Sequence, residues 1–429
     1  MSDVSALSDP TKRRWLAWGA LATVFLLVNL HRLSTAVLSG RLSAGFDLTA
    51  AQLGTLHASF FLVYALVQVP TGVLADRVGP RHVGSAGAVL LSAGAVGFAL
   101  GGSYPMALFS RAIIGLGSGV IFVSILRFCA NWFRTDEFGT MAGLTSGVAG
   151  LGAILATTPL AVAAATVGWR RTVLALAAVG LLASVAVYAL ARSSPAAAGL
   201  DPIEGVPEQP SVSLAGTGRH LRTLAGDLDQ WLLSAVFFAG MGTLLTLIGL
   251  WGVPYLVVVY GLDVTTASYF TLLGSVGMFI GPPAIGWFSD RIERRLLPMS
   301  VGLALFALAL GVIPVFGRPP LPVVAGVYFC CGFLVGAAVL ALSVVKERYP
   351  PEASGVATAT VNTAGFVGAT VFPTAMGVVL DAYRTGDVVG GTVVYTEFGY
   401  RVAFAIVTGA LVVALLCSLW LFVRNPTPS

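Results

Sequence analysis

Arg32 is the side chain from which a chemical reading of this sequence starts. It lies in an apolar run over about residues 15–39 that contains no acidic residue. A guanidinium at bilayer depth costs about 3 kcal/mol or more unless water or a partner meets it, so the run predicts that Arg32 faces a hydrated cavity. There it can donate two parallel hydrogen bonds to a carboxylate or phosphate. Asn29 sits about 60° away around the same helix. In the next run His57, Tyr64 and Gln68 follow i, i+7, i+11 and share one face. At a rise of about 1.5 Å per residue, His57 falls at a depth similar to Arg32 on an antiparallel neighbour. These five are candidate solute contacts; the competing role for His57, Tyr64 and Gln68 is to satisfy one another inside a bundle. Trp251 and Tyr255 in the seventh run, and Asn362 with Thr363 in the eleventh, add aromatic and hydrogen-bonding groups. For the two aromatics, core packing or interfacial anchoring competes.

The nineteen acidic residues fall in termini, loops or the ends of runs, which leaves no mid-span carboxylate for a proton relay and little to grip a cation. Coupling is then left to a proton on His57 or His31, to the charge of the solute, to exchange, or to nothing. An anionic or zwitterionic small-molecule solute fits best. Cys129, Cys330, Cys331 and Cys417 lie in or beside apolar runs without metal-ligand spacing and read as small buried apolar residues. No metal and no cofactor are expected. No nucleophile motif or phosphate-binding loop is present, which argues against an enzyme and against ATP-driven work by this chain alone.

What must position these residues is a set of helices in lipid. At 57% hydrophobic and 10% charged over 429 residues, the chain is too apolar for a soluble domain. A spanning helix needs about 20 apolar residues, because its backbone polar groups must be satisfied within the segment. Twelve runs qualify, at about 15–39, 50–74, 83–102, 105–127, 139–162, 169–192, 231–260, 267–289, 297–315, 321–345, 354–380 and 400–424. With the N-terminus inside, sixteen basic residues fall on the inner side and six on the outer. That excess predicts a multi-pass protein of the plasma membrane with both termini cytoplasmic. The first run lacks a convincing small-residue cleavage site and reads as a permanent helix. The net charge of +5 does not point to nucleic acid, since the basic residues are spread between apolar runs without interleaved aromatics.

The longest polar interval, 193–229, separates an N-terminal six-helix bundle (1–192) from a C-terminal one (230–429). At an offset of about 214 residues, Gly72-Val-Leu-Ala-Asp76-Arg77-Val-Gly-Pro-Arg81 aligns with Gly286-Trp-Phe-Ser-Asp290-Arg291-Ile-Glu-Arg-Arg295. Gly168-Trp169-Arg170 before the sixth run is echoed by Gly399-Tyr400-Arg401 before the twelfth. Short motifs recurring at matching places in two halves mark a duplicated transporter, with the solute path between the repeats.

The Gly72, Asp76, Arg77, Arg81 pattern resembles the loop between helices two and three of the major facilitator superfamily. The resemblance extends through Arg111-x-x-x-Gly115-x-Gly117, the Gly-Trp-Arg turn and Trp251-Gly-Val-Pro254-Tyr255, so it covers nearly the whole chain. It implies an all-α membrane protein of twelve helices in two pseudo-symmetric bundles, monomeric in the bilayer, that works by alternating access. In that setting Gly72 permits a close helix crossing, and Asp76 faces the positive N-terminal end of a helix near Ser354. Arg77 and Arg81 pair with cytoplasmic carboxylates. Gly286, Asp290, Arg291 and Arg295 form the partner latch, although Glu293 stands where the first copy has its second glycine. Arg111 matches an arginine that in proton-coupled drug exporters of the family is implicated in coupling, and that elsewhere serves structural pairing.

The first two helices resemble the sugar-phosphate and organic-anion branch, in which an arginine at the position of Arg32 meets the anionic group. Phosphate exchangers of that branch carry a second arginine in the seventh helix, whereas Thr243 to Trp251 contains none. Monocarboxylates, amino acids or similar metabolites are therefore expected over organophosphates. The alternatives are a proton-coupled multidrug or metabolite antiporter of the same fold and, in a different class, a membrane enzyme or sensor.

Overall fold

The computed structural model describes residues 9–201, 203–206, 224–389 and 392–424, with the side chains at 69, 72, 73, 76, 351, 352, 388, 389 and 392 outside that description. Twelve helices in the described residues are long and apolar enough to cross a membrane. They are α1 (Pro10–Leu33), α2 (Ala50–Val78), α3 (Pro80–Leu100), α4 (Tyr104–Trp132), α5 (Thr135–Leu155) and α6 (Thr158–Leu190). After the central interval come α7 (Leu228–Tyr260), α8 (Val264–Arg291), α9 (Leu296–Phe316), α10 (Leu321–Arg348), α11 (Pro351–Ala382) and α12 (Glu397–Arg424).

Their starts carry ordinary capping chemistry. Thr49 and Gln52 form a reciprocal box at α2: the Gln52 N–H donates to the Thr49 hydroxyl (3.2 Å) and the Thr49 N–H to the Gln52 side chain (3.0 Å). Asp263 accepts from the N–H groups of Thr265 and Thr266 at α8. The twelve apolar runs and the twelve helices correspond, but the helices are less regular than hydrophobicity suggests. α1 breaks at Ser34 and resumes as a second segment, Thr35–Phe46. α4 is interrupted at Val120. Wider π turns occupy Ala164–Gly168 in α6 and Leu247–Trp251 in α7.

One element departs from an all-helical expectation. Between α11 and α12 an antiparallel hairpin joins β1 (Arg384–Val389) to β2 (Thr392–Tyr395), pairing Arg384 with Tyr395 and Val388 with Val393. It marks one end of the bundle, the hairpin end; the interval between α6 and α7 marks the other, the linker end. Across the halves α2 packs along α11, α5 meets α8, and the second segment of α1 meets α7.

The two copies of the repeated loop differ as their sequences require. Gly79 closes α2 at φ +85°, whereas Glu293 at the equivalent place after α8 adopts φ +52°. That left-handed conformation costs a residue with a Cβ about 1 kcal/mol or more, so the second loop, four residues long where the first is Gly79 alone, is made at a penalty.

Candidate functional site

A cavity of about 960 Å³ lies between the halves and is walled by α1, α2, α4 and α5 on one side and α8 and α11 on the other. Arg32, Asn29, Tyr64, Gln68 and Asn362 line it. Arg32 is only 8% exposed, and its Cζ lies 5.0 Å from the centroid of the Tyr64 ring and 5.3 Å from that of Phe366. Those rings come from opposite halves and stand 4.6 Å apart, so the guanidinium rests on an aromatic pair that bridges the cavity. Among the described residues it has no hydrogen bond and no carboxylate, and its Nε is buried without a partner. Its place in the last turn before the break at Ser34 gives some compensation from the helix dipole. Asn29 donates one amide N–H to the Phe25 carbonyl at 2.9 Å, which leaves its carbonyl oxygen free.

Tyr64, rather than His57, meets Arg32. The run 15–39 understates α1, which ends at Phe46 once its second segment is counted. Arg32 is fourteen residues before Phe46 and Tyr64 fourteen after Ala50, so antiparallel α1 and α2 bring those two to one depth. His57 lies nearer the hairpin end, fully buried, with its ring 5.0 Å from Phe61 and against Gly249 of α7. Trp251 and Tyr255 also lie off the cavity. The Trp251 indole N–H donates to the Pro373 carbonyl at 3.0 Å, tying α7 to α11. The Tyr255 hydroxyl donates to the Gly317 carbonyl at 2.7 Å, amid Tyr260, Tyr400 and Phe404. Both aromatics take the packing role that was their alternative.

Ser275 of α8 was not anticipated. It lines the cavity with its hydroxyl buried and unpartnered. A serine within a span ordinarily donates to a carbonyl a turn earlier, as Ser268 does to Thr265, so residue type alone could not flag it.

Arg111 belongs to the wall behind the site. It donates to the His31 carbonyl (2.9 Å) and the Thr35 hydroxyl (3.1 Å) on either side of the α1 break, with its Cζ over Phe60 and Phe98. Gly115 lets α4 approach so closely that an added Cβ would fall 2.4 Å from the Phe60 carbonyl oxygen.

At the hairpin end the halves are closed. The Asp381 carboxylate near the end of α11 accepts from the N–H groups of Ala50 (2.7 Å) and Ala51 (2.9 Å), the first donors of α2. A Cβ on Gly54 would meet the Pro373 carbonyl oxygen at 2.4 Å, and one on Gly377 the Ala50 carbonyl oxygen at the same distance. α2 and α11 therefore touch backbone to backbone here. Ser268 of α8 donates to Thr158 of α6 at 3.0 Å.

At the linker end Arg81, Arg291 and Arg295 find partners within their own halves. Arg295 pairs with both Asp290 and Glu347; these contacts, Glu347 first, raise its pKa against the lowering effect of burial. Arg291 lies over Trp287, and an added Cβ on Gly286 would meet nothing within 4 Å. Arg81 donates to the Tyr188 carbonyl at 2.9 Å with its Cζ 4.0 Å from that ring, where a carboxylate partner was expected. Arg77 is exposed. Gly72 and Asp76 lie in the helical backbone of α2, but the expected contact of Asp76 near Ser354 falls on a side chain outside the described residues.

The profile of the Major Facilitator Superfamily matches residues 14–373. The chain is 26% identical over 305 residues to the probable sulfoacetate transporter SauU of Cupriavidus necator, covering 69% of this chain and 70% of that protein. It is 25% identical over 371 residues to the hexuronate transporter of Bacillus subtilis, covering 82% and 84%. In three dimensions it resembles a bacterial homolog of the human lysosomal transporter Spinster, solved in an inward-facing and unoccupied conformation. The TM-score is 0.76 at 18% identity, covering 95% of this chain and 97% of that one, a likeness of fold alone.

Proposed function

Because this chain belongs to the major facilitator superfamily, we propose that it is a secondary transporter of small organic anions in the plasma membrane, acting as a monomer with Arg32 as the anchor for the solute. The observation that carries this reading is a buried guanidinium at the cavity wall that has neither an acid nor a hydrogen-bond acceptor among the described residues. Leaving such a charge unpaired costs several kcal/mol, and an anion arriving in the cavity offsets that cost. Sulfoacetate and hexuronate, the solutes in the names of two relatives, are both organic anions and favour the same class. No carboxylate stands among the described lining residues to meet an ammonium group, which favours an anion over a zwitterion and over a proton-exchanged cationic drug.

The moving bodies are the two six-helix halves, 1–192 and 230–429, joined by the interval 193–229. The excess of basic residues at the linker end supports a cytoplasmic placement of that end and of both termini. The geometry then corresponds to a state open inward, with the outer side sealed where Asp381 caps α2. Outward opening requires that cap to release, Gly54 to part from Pro373 and Gly377 to part from Ala50. Asp76, supported by Arg77 and Arg81, and the Gly286, Asp290, Arg291 and Arg295 loop are the proposed latches of the opposite end.

Uptake into proteoliposomes tests the reading. Saturable accumulation or exchange of at least one labelled organic acid, insensitive to cationic competitors, is expected. Exchange of lipophilic cations for protons, with organic acids ignored, would replace this reading with the antiporter.

A further inference from the structure

We propose that the solute is an amphipathic monoanion, one carboxylate on an apolar aromatic or short aliphatic body, in preference to a sugar acid, a dianion or a phosphate ester. The inference rests on the anion reading above and narrows it.

The charge count comes first. Arg32 is the one charged residue among the described residues that line the cavity. A solute with a second negative charge would bring that charge into the cavity with no cation to meet it, and an unpaired charge drawn out of water is strongly disfavoured. One guanidinium matches one carboxylate, with the N–H groups not turned to the Tyr64 and Phe366 rings left to make the paired contact.

The walls come second. Phe25 and Phe122 stack with ring centroids 5.3 Å apart on one side of the cavity, and Met278, Phe279 and Trp287 line the other. Sites of this size bind chiefly through apolar and aromatic area, with a few polar groups fixing orientation. A sugar acid would bring four or five hydroxyl groups, each losing water and each needing a partner. The walls that would enclose its ring are largely carbon.

Besides Arg32, the polar side chains among the described lining residues are Asn29, Tyr64, Gln68, Ser146, Ser275 and Asn362, amid a majority of apolar and aromatic ones. The Ser275 hydroxyl, buried and unpartnered on α8, and the free carbonyl of Asn29 on α1 come from opposite halves. Ser275 can donate to a carboxylate oxygen that Arg32 leaves open, which makes it the contact of the second half with the charged end of the solute. The apolar body then lies between α5 and α8.

Calorimetric titration of the full chain in lipid nanodiscs tests this with acetate, butyrate, hexanoate, phenylacetate, glucuronate and hexanol, the heat of empty nanodiscs being subtracted. Each added pair of methylenes is expected to tighten binding about tenfold from acetate to hexanoate. Phenylacetate is expected to bind at least about tenfold more tightly than glucuronate, which carries the same charge. The variant Phe279→Asn, on a half-exposed wall position, is expected to weaken hexanoate by a larger factor than acetate, and an equal loss for both would count against the apolar body. Affinities that stay flat along the series, or glucuronate binding as tightly as phenylacetate, while Arg32→Gln still abolishes binding, would overturn the apolar body and leave the anion reading standing. Hexanol binding as tightly as hexanoate, hexanoate binding equally to Arg32→Gln, or no acid binding at all, would overturn the anion reading and this inference with it.

Discussion

Arg32 and Arg111 are both buried in the first half of the molecule, both without a carboxylate among the described residues, and yet they sit in opposite surroundings. Arg111 is spent on its own protein: its terminal nitrogens donate to the His31 carbonyl and the Thr35 hydroxyl, and its charge lies between Phe60 and Phe98. It holds α4 against the point where α1 breaks. Arg32, one residue after His31, donates to nothing among the described residues and rests on one ring from each half. Burial alone therefore does not identify an arginine that meets a ligand. The terminal nitrogens separate the two: Arg111 donates from both and Arg32 from neither among the described residues, while the Nε of each is buried without a partner, and a guanidinium whose terminal donors are used internally has little left to offer a solute.

The contrast is broken most directly at Arg32. Arg32→Gln is expected to lower organic-acid uptake by about 100-fold, since removing the cation leaves the anion desolvated without a partner. The thermal midpoint of the purified protein should not fall, because no intramolecular hydrogen bond is lost. A collapse in stability at constant uptake per folded molecule would show Arg32 to be a structural residue like its neighbour. Arg111→Gln should do the reverse. Two acceptors at the α1 break lose a charged donor, which is expected to cost about 2–4 kcal/mol of stability, with uptake per folded molecule changing less than about threefold. Thermal unfolding and transport measured on the same preparations check both halves of the statement.

Arg32→Lys sharpens the comparison. The charge remains but the planar fork is lost, and an ammonium cannot make the paired contact with a carboxylate. Uptake is expected to fall about tenfold, between the parent and Arg32→Gln, through a raised half-saturation concentration. A lysine variant indistinguishable from the parent would mean that charge alone, and not geometry, selects the solute.

How far these arrangements can be read without coordinates depends on how local their cause is. An apolar run of about 20 residues is a local property, which is why the twelve spans are visible. The break at Ser34 and the π turn at Leu247–Trp251 are not, because packing against other helices sets them. Their consequence reaches the site: an apolar run that stops at residue 39 puts His57 at the depth that Tyr64 occupies, and puts the α7 aromatics on a cavity wall that they do not form. Ser275 and Asp381 went unseen for a related reason. A serine in a span usually satisfies itself, and Asp381, at the end of a span, looks like a loop acid. Its partners, the Ala50 and Ala51 N–H groups, lie 331 and 330 residues earlier. Arg32 itself is legible because its peculiarity is negative and local, a charge in a run with no opposite charge nearby.

The smallest expected effect tests the Arg111 side at finer grain. Thr35→Val keeps the shape of the residue and removes the hydroxyl that accepts from Arg111 at 3.1 Å, while the His31 carbonyl at 2.9 Å stays in place. One terminal nitrogen then loses its acceptor in a site without water access, which is expected to cost about 1–2 kcal/mol. The guanidinium remains anchored by its other bond and by the two rings, so the loss should stay below that of Arg111→Gln. The two substitutions should also not add: with Arg111 already glutamine, Thr35→Val should cost less than about 0.5 kcal/mol more, because the interaction it removes is largely gone. Full additivity in a double-mutant cycle on thermal unfolding would mean that Thr35 and Arg111 stabilise the break in α1 independently. The division between the arginine that uses both terminal nitrogens and the one that uses neither would then lose one of its two supports.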